Sequence, residues 1–206
     1  MNRIGLFGGT FNPIHLGHLR SAQEVLEAFD LQRILLIPSA LPPHKQPEFL
    51  ASAADRLALI RQATLGHTGL SASSVEIKRP GPSYTIDTVR FFKRKLPSAT
   101  RLFLVVGLDA FLEIDSWKAC RDLFRLTPFI VMIRPEAAAE TDNQTFKRVE
   151  TLLQAAISPS YGFRPAPDRV ADAHFQPVYF MNAVSYTHLR AHETTASISY
   201  AVFCLK

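Results

Sequence analysis

Residues 5–20 read GLFGGTFNPIHLGHLR. The apolar run that begins at Arg3 and ends on Gly8 and Gly9 predicts a strand closed by a glycine turn. From His18 onward, Leu19, Ala22, Val25, Leu26 and Phe29 recur on one face of a helix. The glycines remove side chains where backbone must approach a ligand, and Thr10 and Phe11 continue a turn whose amides can point at phosphate oxygens. His15 and His18 stand one helical turn apart, so their rings can face the same group. No carboxylate or third ligand accompanies them in the metalloprotease manner, so phosphate contact is the reading and no metal site is expected.

Outward from this turn, short apolar runs alternate with amphipathic stretches, the pattern of a parallel sheet covered by helices on both faces. Strands are predicted at 3–8, 33–38, 73–77, 101–107, 129–134 and 178–183, and helices at 18–29, 53–65, 85–96, 116–124 and 145–156. The fold class expected is α/β, a Rossmann-like open parallel sheet. The proline-rich SALPPHKQPEF, residues 39–49, predicts a mobile loop over the mouth of the sheet, and residues 161–177 a second irregular stretch.

At 206 residues, 47% hydrophobic and 20% charged, the chain predicts one soluble domain, and its net charge of +5 suits an anionic partner. Basic residues are scattered instead of gathered in a stripe with aromatics. KRK at 93–95 reads as the exposed end of a helix, which argues against a non-enzymatic nucleic-acid binder. Cys120 and Cys204 fit neither a disulfide framework nor a zinc site, and no run predicts a signal peptide or a membrane span, so a cytoplasmic protein is expected.

Residues 184–206, VSYTHLRAHETTASISYAVFCLK, lack the periodicity of the rest and resemble a translated sequencing-library adapter. The expected organisation is therefore a domain over 1–183 followed by an artefactual, loosely attached tail over 184–206, with a native C-terminal helix missing.

GGTFNPIHLGHL resembles the signature of the nucleotidyltransferase superfamily. PPHK at 42–45, RPGPSYTIDT at 79–88, VVGLDAF at 105–111, Trp117 and IRP at 133–135 are similar, in order and spacing, to bacterial-type nicotinate mononucleotide adenylyltransferases. The resemblance implies transfer of AMP from ATP, accompanied by Mg²⁺, to nicotinate mononucleotide, giving the dinucleotide and pyrophosphate. It implies that Gly8, Gly9, Thr10, Phe11, His15 and His18 hold the ATP phosphates, with Lys45 reaching toward them. Gly107, Asp109 and Arg134 would border the nucleoside of ATP. Trp117 would stack on the pyridine, while amides near Thr85 and Lys118 receive its carboxylate. Small-molecule substrates, without nucleic acid or membrane, are the implied partners.

Two departures stand out. Asn12 takes a place where the family commonly has Asp, and the tail stands where the family has a serine-rich turn with an Ile-Arg pair. Among rivals, a pantetheine-phosphate adenylyltransferase lacks the SYTIDT and tryptophan positions. A dinucleotide-binding oxidoreductase would need G-x-G-x-x-G in the first turn.

Overall fold

A computed structural model describes residues 2–41, 50–133, 142–165, 175–182 and 201–205. The chain forms two compact units, Met1–Val105 with Trp117–Ala119, and Val106–Ser116 with Cys120–Lys206. Both alternate strands with helices, giving the Rossmann-like α/β class that the apolar periodicity predicts.

In the first unit, β1 (Arg3–Gly9), β2 (Arg33–Pro38), β3 (Leu70–Ala72) and β4 (Arg101–Gly107, through Val105) run parallel in the order β3-β2-β1-β4. The strands are apolar runs because both faces are covered: Leu6, Ile34, Leu36 and Val105 are fully buried. Covering them are α1 (Leu16–Ala28), α2 (Ala53–Ala63) and α3 (Thr85–Lys95), which bury Ala22 and Val25, Leu57 and Ile60, and Ile86 and Val89.

In the second unit, β5 (Phe129–Ile133) and β7 (Val178–Asn182) pair in parallel. The short α4 (Leu108–Phe111) follows Gly107, a 3₁₀ turn spans Ile114–Ser116, and α5 (Cys120–Leu126) and α6 (Asp142–Ala156) complete the helices. An aromatic cluster forms this core. Phe124 stacks on Phe129 at 4.4 Å, and Phe111 meets Phe129 and Phe180 edge-on at 5.7 and 6.1 Å. Such pairs add about 0.5–1.5 kcal/mol each beyond their buried area.

Four expectations are corrected. The third strand is Leu70–Ala72, not 73–77. Beyond Ala72 the chain turns, with Lys78 N–H on Ser74 O and Arg79 N–H on Glu76 O, because the polar side chains of this stretch serve a buried network described below. The helix expected over 116–124 starts at Cys120, since Trp117–Ala119 forms a turn in which Ala119 has φ of 52°. Tyr161–Pro165 is not irregular but forms β6. Finally, Ala201–Leu205, inside the expected tail, forms β8, antiparallel to both β7 and β6. Its apolar run AVFCL suits a strand with a neighbour on each side.

Candidate active site

The first strand ends in a turn built to leave donors free. Ser39 N–H donates to Gly9 O at 3.0 Å, which closes the β1 and β2 ends together. Phe11 then takes φ of 48°, a left-handed conformation that costs a non-glycine residue about 1–2 kcal/mol. Among the described residues, the Thr10 and Phe11 amides donate to nothing. The absent Cβ of Gly9 has a steric reason, because one placed there would meet the Phe11 ring at 3.1 Å. A Cβ on Gly8 would meet nothing within 4 Å, so its position is open above the turn.

His15 is the residue just before α1, and the helix begins two residues earlier than its apolar face suggests. The His15 and His18 rings lie against each other at a tilt, with centroids 3.8 Å apart and planes 33° apart. His15 N–H donates to His18 Nδ1 at 3.4 Å, so a neutral His18 carries its proton on Nε2. Phe11 braces the His18 ring edge-on at 5.0 Å. Gly17 leaves room for this pair, because a Cβ there would press on the His15 ring at 3.1 Å. The result is two imidazoles, two uncommitted amides and the positive end of α1 in one turn of chain, an arrangement suited to an anion.

A buried arginine, not singled out by the sequence reading, holds this turn. Arg56 of α2 is 1% exposed and donates to Thr10 O at 2.6 Å, Ser39 O at 2.7 Å and Ala51 O at 3.0 Å. Burial pushes its guanidinium below the usual arginine value. Asn12 joins the same brace: its Oδ1 accepts from Ala51 N–H at 3.0 Å. That acceptor is present in Asp as well as Asn, so the departure at position 12 preserves the hydrogen bond and changes the charge. The one signal in the sequence was a cation on the face of α2 that also carries Leu57 and Ile60.

The second candidate cluster gathers at the start of α3. Tyr84 precedes the helix without a side-chain cap. Lys118 Nζ stands 4.3 Å over the Tyr84 ring and 3.4 Å from Asp87 Oδ2, beside the start of α3, and Trp117 precedes it in the chain half-buried. Asp87 is thus engaged twice, its side chain by Lys118 and its N–H by Tyr84 O at 3.1 Å. Beneath the helix start lies a polar network. Thr88 Oγ1 donates to Glu76 at 2.6 Å, and Arg79 reaches Thr88 Oγ1 at 3.2 Å and Tyr84 O at 3.3 Å. Ser83 accepts from Ala40 N–H at 2.9 Å. Burial holds the Glu76 carboxyl above its ordinary value, opposed by the Thr88 and Ser83 hydroxyls and by Arg79.

Gly107 and Asp109 belong to the second unit, where Gly107 starts α4 and Asp109 is exposed in its first turn, anchored by the buried Phe111. Lys45 and Arg134 lie outside the described residues. Among the described residues, no three His, Cys, Asp or Glu side chains converge as metal ligands, and no helix is long and apolar enough to cross a membrane.

Comparison with known proteins places the chain in a family. The profile of the cytidylyltransferase-like family matches residues 6–192. A probable nicotinate-nucleotide adenylyltransferase of Geobacter sulfurreducens is 37% identical over 182 residues, 88% of this chain and 81% of the relative. The chain belongs to the nicotinate-nucleotide adenylyltransferase family. A probable nicotinate-nucleotide adenylyltransferase of Desulfatibacillum aliphaticivorans is 51% identical over 133 residues, 65% of this chain, and that match spans only 60% of the relative. The fold of this adenylyltransferase-family chain is also that of the nicotinic acid mononucleotide adenylyltransferase of Plasmodium falciparum, solved in complex with NaAD. The TM-score is 0.60 at 18% identity, covering 72% of this chain and 71% of that one.

Proposed function

We propose that the chain transfers AMP from ATP to nicotinate mononucleotide, releasing pyrophosphate. The observation that carries this reading is the turn at the end of β1, where the free Thr10 and Phe11 amides adjoin the stacked His15 and His18 rings. Membership of the adenylyltransferase family, and the NaAD complex of the Plasmodium protein, support the choice of substrates.

In the proposed reaction a phosphate oxygen of the mononucleotide attacks the α-phosphorus of ATP in line. The new P–O bond forms as the bond to the bridging oxygen of pyrophosphate breaks, and the leaving group takes the electron pair. The nucleophile is already anionic, so no protein base is needed. The chain's task is to hold two anions in line and to stabilise the charge growing on the leaving group. The Gly8–Phe11 backbone and the His15 and His18 rings supply donors to the phosphates, with Lys45 adding charge. Gly107, Asp109 and Arg134 are proposed to border the ATP nucleoside. Trp117 offers a flat face to the pyridine, and the amides at Thr85 and Lys118 receive its carboxylate. The described residues offer no protein cage for Mg²⁺; bound to ATP, the ion draws ligands from phosphate and water and neutralises charge. A reducing cytoplasm suits two cysteines without a framework.

The test is to mix the protein with ATP, Mg²⁺ and either nicotinate or nicotinamide mononucleotide, and to measure dinucleotide and pyrophosphate. Equal yields of both in the nicotinate reaction are expected. Pyrophosphate release that does not depend on a mononucleotide would overturn the reading.

A further inference from the structure

We infer that Arg56 is a positioning residue for the phosphate turn, acting through the peptide between Thr10 and Phe11; this rests on the adenylyl-transfer reading above. A trans peptide points its carbonyl and its N–H in opposite directions. Arg56 draws Thr10 O inward at 2.6 Å, and the Phe11 N–H is thereby turned outward, where it meets no described partner. The left-handed φ of 48° at Phe11 is the conformation this peptide orientation needs. The same guanidinium fixes Ser39 O and Ala51 O, so one side chain ties the end of β1, the exit of β2 and the entry to α2.

Simple framework needs do not account for the choice of an arginine here. Arg56 is 1% exposed, and among the described residues its desolvated charge meets three carbonyls and no carboxylate within ion-pair distance. It also sits in the first turns of α2, after Ser52, whose side chain accepts from Asp55 N–H, and a cation near a helix N-terminus works against the macrodipole. A buried positive charge behind an open amide and two imidazoles becomes more favourable when polyphosphate brings negative charge in front of them. The guanidinium spreads its bonds over Nε, Nη1 and Nη2 in a fixed plane, a span that the single nitrogen of an ammonium does not cover.

The test uses the full chain with Arg56→Lys and Arg56→Met, each checked for cooperative thermal unfolding. ATP binding is measured by titration without mononucleotide, and kcat and KM with both substrates. Arg56→Lys keeps the charge and loses the fork. It should lower kcat by about 100-fold, the scale of a misplaced reacting group, and leave KM for the mononucleotide unchanged. Arg56→Met should in addition weaken ATP binding by about tenfold or more, with Arg56→Lys recovering most of that loss. Folded variants with wild-type kcat and ATP affinity would overturn the inference. So would loss of cooperative unfolding in both variants, which would make Arg56 a framework residue. If the wild-type chain binds ATP but forms no dinucleotide, the functional reading fails while the titration still decides whether Arg56 orders the turn.

Discussion

His18 shows how much one side chain depends on its neighbours. Its Nδ1 accepts from the His15 N–H, and its ring lies beside those of His15 and Phe11. A donor aimed at the transferring phosphate matters most where charge develops. His18→Ala is therefore expected to lower kcat by roughly 100- to 1000-fold with a much smaller change in ATP affinity. A loss confined to KM would assign His18 to ground-state binding. Trp117 belongs at the same scale. Stacking is worth ~1–3 kcal/mol per base, so Trp117→Ala should raise KM for the mononucleotide by about tenfold or more and leave ATP binding alone. Equal weakening of both substrates would move Trp117 from the site into the packing of its own turn. The glycine turn and the histidine pair were legible as a candidate site from their spacing, and Trp117 only through the family resemblance. Arg56 was not, because its meaning lies in three carbonyls that sequence spacing does not bring together.

At the scale of elements, α1, α2, α3 and β1, β2 and β4 follow from apolar periodicity, since their buried faces repeat at the helical or strand period over long stretches. The errors fall on short segments. Val75 and Ile77 alternate as a strand does, but five residues of alternation also fit the turn that sends Glu76 inward under α3. That network has a pH signature. The folded Glu76 carboxyl holds its proton above the ordinary value of 4.5, so the folded state binds the proton more tightly than the unfolded one. The stability this contributes is fully present below the unfolded value and is lost as pH rises through the folded value. Glu76→Gln removes the titration and keeps an acceptor for the Thr88 hydroxyl. The thermal midpoint of the wild type should therefore fall relative to Glu76→Gln as pH is raised from about 4 to about 7. A difference that stays constant across that interval would show that Glu76 does not titrate with folding.

For the whole molecule, origin and packing are separate matters in residues 184–206. The adapter-like wording VSYTHLRAHET offers no apolar face, and the family match nevertheless runs past Ala183 to residue 192. Further on, β8 lies between β7 and β6, with Val202 opposite Tyr179 on one side and Arg164 on the other. We propose that the segment is adapter-derived in sequence; translated residues with the pattern AVFCL pair as any strand of that composition does. Three chains separate the two matters: the one given, one ended at Ala183, and one in which 184–206 is replaced by a serine turn, an Ile-Arg pair and a helix. Ending at Ala183 strips backbone partners from β6 and β7, so a lower thermal midpoint is expected, with ATP affinity unchanged because no residue of β8 is assigned a phosphate. The replaced chain should bind ATP more tightly, since hydroxyl and guanidinium groups add charge-assisted hydrogen bonds to phosphate. If the chain as given binds ATP as tightly as the replaced one, and loses that affinity when cut, residues 184–206 are a working part of the site and not an adapter. An unchanged midpoint after the cut would show that β8 contributes nothing to the stability of its unit.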